Sequence, residues 1–548
     1  MFAKKPLPFL LFSTKLPFTT QFSTAISHSF FPSFQGKPSL SQTTQAHARI
    51  IISGHSSDSI LLGKLLSFLA LTPSIPFHYS LFIYQSIQTP TVFASNNLIR
   101  CFAKSQFPLN SVNFYSSMLE RCISPNNYTF TFLIQACAKG SGSGSGSIEG
   151  VQVHGQVVKL GFGDDVYVRN SLIHFYSACY SVESAKQVFD ESMGVCDVVS
   201  WNSMLAGFAK DGQVYIVEKM FDEMPERDVI SWNTMIMAYV HNGKLEEGLE
   251  CFRRMRGFGL TPNEATLVTI LSAIAQLGLI ENGKSIHSII DSLNVPITIT
   301  LGTALVDMYA KCGCIEQCRH LFDKMAQRDI STWNAMICGL ASHGLGKEAL
   351  ALFDSFLNEG FRPENVTFIG LLNACSRAGL VEEGREFFRL MTEHYGIEPE
   401  TEHFGCMVDL LGRAGLVSEA IEMIESKVAS PDPVLWATLV SACRIHGLIE
   451  LGEEIGGRLI ELNPSYEGHY VQLASIYARS RKWDDVVRVR KLMVERNTGR
   501  VAGWSLIEAQ GKVHQFVAGD RDHVLSLQIY QMLENIENCI AEAGYVSV

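Results

Sequence analysis

In the run KCGCIEQCRH, Cys312, Cys314, Cys318 and His320 combine thiols with an imidazole, the ligand types that zinc takes. Their spacing is C-x-C-x3-C-x-H, not the paired C-x2-C knuckles of a structural zinc site. Cys312 and Cys314 flank Gly313 in a predicted turn, and Cys318 falls on the helix that follows. Free thiols packed in a helical core are the simpler reading. Nothing else among the 14 cysteines suggests a disulfide framework. The sequence therefore assigns no metal ligand, no cofactor and no catalytic residue.

A different set of side chains recurs at fixed spacing. DVVSWN at Asp197–Asn202 returns as DVISWN at Asp228–Asn233, 31 residues on. Asn or Thr follows Trp or Gly in SWN, SWN, LGT and TWN, and Asp or Asn commonly closes the unit. These groups offer hydrogen-bond donors and acceptors rather than nucleophiles or proton shuttles.

A repeated element must position them. The units Val198–Asp228 and Ile299–Asp329 have 31 residues, and Val92–Asn126, Val229–Asn263, Glu264–Thr298 and Ile330–Glu364 have 35. Asn127–Asp165 has 39, Asn365–Glu400 has 36, and Val166–Asp197 and Thr401–Asp432 have 32. Such self-similarity signals a stack of supersecondary units. Within one unit, Trp201, Met204, Leu205 and Phe208 share a helical face, DGQ makes a turn, and Val214, Val217, Met220, Phe221 and Met224 form a second stripe. Pro225 stops it. A helical hairpin of this kind cannot bury its apolar face alone, so neighbours stack. The expected fold is all-α: a right-handed α-solenoid of helix–turn–helix repeats with one inner groove, lined by two polar columns. The extra length of the 39-residue unit is the insert GSGSGSGS, expected as a flexible loop.

Composition agrees with a folded chain: 47% apolar, 18% charged, net charge -11. No uniform basic coat advertises nucleic acid, so any such contact must be local or must depend on bases. No apolar run is long enough to span a membrane. Before the first acid, Asp58, the chain is rich in Ser, Thr and Phe and carries Lys4, Lys5, Lys15, Lys37 and Arg49. That is the composition of an organellar transit peptide, assigned to residues 1–39, with a disordered extension lacking any address as the alternative. Scarce arginine leaves plastid and mitochondrion hard to separate.

The phrases VVSWNSMLAGFAKDG, FDEMPERDVISWNTMI, ALVDMYAKCGCIE and CMVDLLGRAGLVSEA resemble plant pentatricopeptide-repeat proteins of the PLS class, which alternate 35-residue, longer and 31-residue units. The resemblance runs from about Leu40 to Val548. It divides the chain into degenerate repeats at 40–91, a PLS array at 92–432, tetratricopeptide-like E motifs at 433–500 and an E+ extension at 501–548. At the start of the extension the family commonly writes Pro-Gly-Cys-Ser-Trp, whereas this chain has Ala502-Gly503-Trp504-Ser505-Leu506.

The resemblance implies that the fifth and last residues of each unit read one RNA base. The pairs are Asn96 with Asn126, Asn170 with Asp197, Asn202 with Asp228, Asn233 with Asn263, Thr303 with Asp329, and the unusual Asn334 with Glu364. Tyr167, Val199, Ile230 and Thr300 would sandwich the bases. The implied preferences are uracil for Asn–Asp, a pyrimidine for Asn–Asn and guanine for Thr–Asp. The long units carry Thr131 with Asp165, Val268 with Thr298 and Ile369 with Glu400, which read poorly, and Gly405 with Asp432 is weak. An earlier short unit, Ile60–Thr91, has Lys64 in the reading slot.

The related DYW deaminase domain needs His-x-Glu and Pro-Cys-x-x-Cys. No His here has Glu two residues later, and no cysteine pair has C-x-x-C spacing. The chain is thus expected not to be an enzyme. It would bind single-stranded organellar RNA, specify a C-to-U editing site and recruit a DYW-type deaminase or other editing factors in trans through its E and E+ region. The organelle is mitochondrion or chloroplast, with a slight lean to the mitochondrion from the family's habits. A factor for transcript stabilisation, splicing or translation is the alternative, and a protein-binding helical scaffold the second. The basic run Arg479, Arg481, Lys482, Arg488, Arg490 and Lys491 fits a solvated helix face better than a phosphate or acidic-partner contact.

Overall fold

A computed structural model describes residues 39–70, 77–141, 145–191, 196–427, 432–496, 504–509, 512–517, 521 and 523–542. All but residue 39 of the expected transit segment lies outside them. The chain divides into two units, one up to Lys244 and one from Leu245.

In the first unit, helix Leu40–Ile52 precedes the hairpins Ser59–Leu69 with Phe77–Ser86, Val92–Lys104 with Asn110–Glu120, Asn127–Lys139 with Ser145–Lys159, Val166–Ala178 with Val182–Asp190, and Val198–Lys210 with Val214–Glu223; helix Val229–His241 follows. The first helix of each hairpin packs on the first helix of the next, which is the stacking expected of an α-solenoid. The GSGSGSGS insert departs from its reading as a loop, because Ser145–Ser147 already belong to helix Ser145–Lys159.

The second unit begins with helix Leu245–Gly257. It continues as hairpins Glu264–Leu277 with Ile280–Ser292, Ile299–Lys311 with Ile315–Lys324, Ile330–Ser342 with Gly346–Asn358, Asn365–Ala378 with Val381–Arg389, Thr401–Arg413 with Val417–Lys427, Pro433–His446 with Ile449–Leu462, and Glu467–Arg479 with Trp483–Glu495. Beyond the hairpins, Trp504–Ala509 and Lys512–Val517 pair as an antiparallel ribbon, Trp504 opposite Val517, before helix Ser526–Glu542. The ribbon is the one described departure from helix, and the all-α reading had not foreseen it.

The repeated phrase positions its own neighbours. Trp201 is buried edge-on against Phe189 of the preceding hairpin at 4.9 Å, Trp232 against Phe221 at 4.8 Å and Trp333 against Phe322 at 5.0 Å. An edge-to-face pair adds about 0.5–1.5 kcal/mol beyond the area buried. Of the two expected stripes, Met220 alone is half-buried and the rest is buried.

Candidate functional site

From Val92–Lys104 to Pro433–His446, each first helix has the last residue of the preceding unit at its N-cap. Asp197 Oδ1 accepts the Ser200 backbone N–H at 2.9 Å, and the Asp197 N–H donates back to Ser200 Oγ at 3.3 Å. Asp228 and Ser231 repeat this at 2.9 and 3.2 Å. The same capping box joins Asn126 to Thr129, Asn263 to Thr266, Asp329 to Thr332 and Glu364 to Thr367. The end-of-unit column therefore has structural work that the sequence reading did not assign.

The fifth residue of the unit reaches the same cap. Asn96 Nδ2 donates to Asn126 Oδ1 at 2.9 Å, Asn170 Nδ2 to Asp197 Oδ1 at 3.1 Å, and Asn202 Nδ2 to Asp228 Oδ1 at 3.0 Å. In these three slots the expected pair is in contact. Burial alone would raise the Asp197 and Asp228 carboxyls. Backbone N–H donors, the Asn amide and the Ser hydroxyl outweigh it and hold both below the ordinary carboxylate value.

Thr303, Asp329, Asn334 and Glu364 line one cleft of about 630 Å³ together with Thr300, Ser331 and Val366. There Thr303 Oγ1 lies 2.7 Å from Thr332 Oγ1, and Thr367 Oγ1 donates to Asn334 Oδ1 at 2.8 Å. Asn233 is half-buried on helix Val229–His241, and Asn263 caps helix Glu264–Leu277; these two fall in different units of the chain.

The long units are wired differently. Asp165 accepts from Asn127 Nδ2 at 2.9 Å, Glu400 accepts from Asn365 Nδ2 at 2.7 Å, and the Thr298 hydroxyl donates to Glu264. In each, the last residue pairs with the first residue of its own unit and not with the fifth. Thr131, meanwhile, turns its hydroxyl to the Asn127 carbonyl at 2.8 Å.

The second residue of the unit points to solvent. Tyr167 is 66% exposed, Val199 55% and Ile230 57%, and Thr300 is exposed as well. Phe93, Tyr128 and Val366 occupy the same position and are also exposed. The sequence reading passed over these three, although their place as second residue of a unit was the signal.

Lysine and histidine side chains close the other end of the first helices. Lys104 Nζ donates to Ala70 O at 2.8 Å, and Lys139 Nζ to Lys104 O at 3.0 Å. In the second unit His343 Nε2 contacts Ala310 O at 2.8 Å and His446 Nε2 contacts Gly412 O at 2.9 Å. Each reaches the preceding first helix at its C-terminal carbonyls, the negative end of its dipole. Part of the basic run is spent within the fold: Arg488 pairs with Asp485 at 3.0 Å and Lys482 with Glu453 at 3.5 Å.

Cys312 and Cys314 flank Gly313, whose φ of 84° makes the turn, and Cys318 lies on helix Ile315–Lys324. Cys318 is buried, donates to the Val306 carbonyl at 3.3 Å, and is pushed up to about 12 by burial. A thiol so held stays protonated. Among the described residues no three His, Cys, Asp or Glu side chains stand together as a metal site.

A stack of 31- to 39-residue helical hairpins with a polar pair and an exposed apolar residue at fixed places defines a helical-repeat protein of the pentatricopeptide type. The PPR repeat family matches residues 90–139, 227–276 and 328–377, the PPR repeat matches 199–229, 303–330, 366–395 and 402–427, and the E motif matches 446–508. The pentatricopeptide repeat-containing protein At5g66520 of Arabidopsis thaliana is 40% identical over 503 residues, covering 92% of this chain and 80% of its own. Another from Arabidopsis thaliana, At1g59720, chloroplastic/mitochondrial, is 36% identical over 525 residues, 92% of this chain and 76% of its own. The crystal structure of the pentatricopeptide repeat protein PPR10 from maize is 16% identical with a TM-score of 0.48, covering 89% of this chain and 87% of that one. The chain belongs to the pentatricopeptide-repeat family, in the E-motif subgroup of its PLS class.

Proposed function

We propose that this protein binds single-stranded RNA of defined sequence in an organelle, marks a cytidine for C-to-U editing and recruits a deaminase in trans. The observation that carries the RNA reading is the pairing of two features at the slots of Asn96, Asn170 and Asn202. An exposed residue at the second position, Phe93, Tyr167 or Val199, stands one helical turn from a fifth-position Asn that touches the last residue of its unit. The caps alone do not argue for RNA, because they serve the helices. An exposed Tyr167, Val199 or Ile230 beside them has no such use and offers a face for a base. The first-to-last closure of the long units fits a role as silent spacers. Read N to C against 5′ to 3′, the units from Val92 to Asp329 prefer Y-n-U-U-Y-n-G, where n is unconstrained.

The recruiting role rests on the E motif and on helix Ser526–Glu542, which leaves Leu527, Met532, Leu533, Ile536 and Ile540 exposed. An organellar address is supported by the N-terminal composition and by a relative named chloroplastic/mitochondrial. That name favours neither organelle, so the lean to the mitochondrion is withdrawn. Sequencing organellar transcripts from a line lacking the protein tests the whole proposal: at least one C-to-U event is lost, and an unchanged editing profile sinks it.

A further inference from the structure

We infer that the hydroxyl at the third position of a unit, which no base-reading pair includes, sets the uracil-over-cytosine preference of the slot before it by locking the Asn amide in one orientation. This rests on the RNA reading proposed above. Uracil presents N3–H as donor and O4 as acceptor, whereas cytosine presents N3 as acceptor and N4–H₂ as donor. An Asn amide that can flip matches either pattern; one that cannot flip matches one.

The structure holds the amide at both ends in the slot of Asn170. The Asp197 carboxylate only accepts, so the amide nitrogen must face it, at 3.1 Å. Ser200 Oγ then donates to Asn170 Oδ1 at 2.6 Å, a shorter contact than its 3.0 Å to Asp197 Oδ1. The hydroxyl has one proton, and the geometry points it at the amide oxygen. Thr129 does the same for Asn96 at 2.7 Å, against 3.1 Å to Asn126, and Thr367 for Asn334 at 2.8 Å.

The slot of Asn202 is the contrast within the same chain. Here Ser231 Oγ donates to Asp228 Oδ1 at 2.9 Å, and Asn202 Oδ1 is buried with no partner. Its amide is held from the nitrogen end alone. A buried carbonyl left unpaired is costly, so this oxygen is open for a donor brought by the base.

The experiment compares Ser200→Ala, Ser200→Thr and Ser231→Ala in the full chain, with RNA pools carrying U or C at the slots of Asn170 and Asn202. Losing one hydrogen bond of ordinary net worth changes an equilibrium by about three- to tenfold. S200A should lower the U-over-C ratio at its slot by about that factor, S200T should keep it, and S231A should leave the ratio at the Asn202 slot unchanged. Thermal melts report whether each variant is folded, since both Ala variants lose the same cap partner. If S200A is folded and its ratio equals that of the wild type, or S231A shifts its ratio as much as S200A, the lock is overturned. A wild type with no base preference at either slot overturns instead the RNA reading beneath it, which separates the two failures.

Discussion

At the residue scale, every letter of DVISWN has a placement. Asp228 caps the helix, Val229 begins it half-buried, Ile230 is exposed, Ser231 closes the capping box, Trp232 packs on Phe221, and Asn233 occupies the fifth position. The cap and the proposed reading pair share atoms, so substitutions there must be chosen with care. Asn202→Thr should move its slot from uracil toward guanine without unfolding the chain. Thr303 already shows that a fifth-position hydroxyl is satisfied, at 2.7 Å from the third-position Thr332. A lost matched contact costs about 1–3 kcal/mol, by analogy with base mismatches in DNA sites. Binding to U- and G-bearing RNAs measures it, and equal preference before and after substitution rules the assignment out. Asp228→Asn separates capping from charge. Asn caps as well as Asp, and the Asn96–Asn126 contact at 2.9 Å shows an amide serving in that place. The native Asp228 carboxyl is depressed, so its stabilising effect is present above the unfolded value of about 4 and is lost as pH falls through the lower native one. The variant should keep the cap, be somewhat less stable than the wild type at neutral pH because the carboxylate's contribution is gone, and lose less stability on acidification; urea melts at pH 7 and pH 3 measure both differences.

At the element scale, the hairpins were legible because two 3.6-residue stripes and a turn recur in each unit. Trp201, Met204, Leu205 and Phe208 needed no structure to be placed in a core. The capping boxes were legible too, as Asp or Asn three residues before Ser or Thr, but their polar atoms had been reserved for a ligand. The terminal ribbon was missed because WSLIEA and KVHQFV are short, lie in a segment assigned by resemblance, and pair only with each other. The first-to-last closure of the long units was hidden because hydrogen-bond choice among three nearby polar groups depends on distances of a few tenths of an ångström. Cohesion between hairpins rests on the aromatic steps. Trp333 meets Phe322 at 5.0 Å and Phe356 at 6.0 Å and is buried. Trp333→Ala should destabilise by about 3–5 kcal/mol. Repeats contact mainly their neighbours, so hydrogen exchange should quicken first in helices Ile315–Lys324 through Gly346–Asn358 and least in Glu467–Arg479. Uniform acceleration along the chain would contradict nearest-neighbour stacking.

At the scale of the whole molecule, the proposed binding and the proposed recruitment fall on different stretches of chain. The six pairs proposed to read bases lie between Asn96 and Glu364, whereas the E-motif match begins at residue 446. The chemistry of deamination needs a metal-bound water and a proton shuttle, and this sequence has neither His-x-Glu nor C-x-x-C to supply them. On the proposed reading, the selected cytidine is converted by a second protein held beside it. Cutting the chain before Pro433 would test this, but it would also strip helix Thr401–Arg413 of the packing it receives from Pro433–His446. Leu533→Asp together with Ile536→Asp is cleaner, since both side chains are already in solvent, at 50% and 47% exposure. Neither substitution opens a core, so RNA affinity should stay within about twofold and thermal stability within about 0.5 kcal/mol. Two charges placed on the proposed docking face should weaken capture of a DYW-type deaminase by at least tenfold, because each must be desolvated on binding. Editing of the cognate cytidine in organello should fall accordingly. Restoring editing by raising the deaminase concentration would place the defect in recruitment, and full editing by the double variant at ordinary concentration would remove this helix from the recruiting surface.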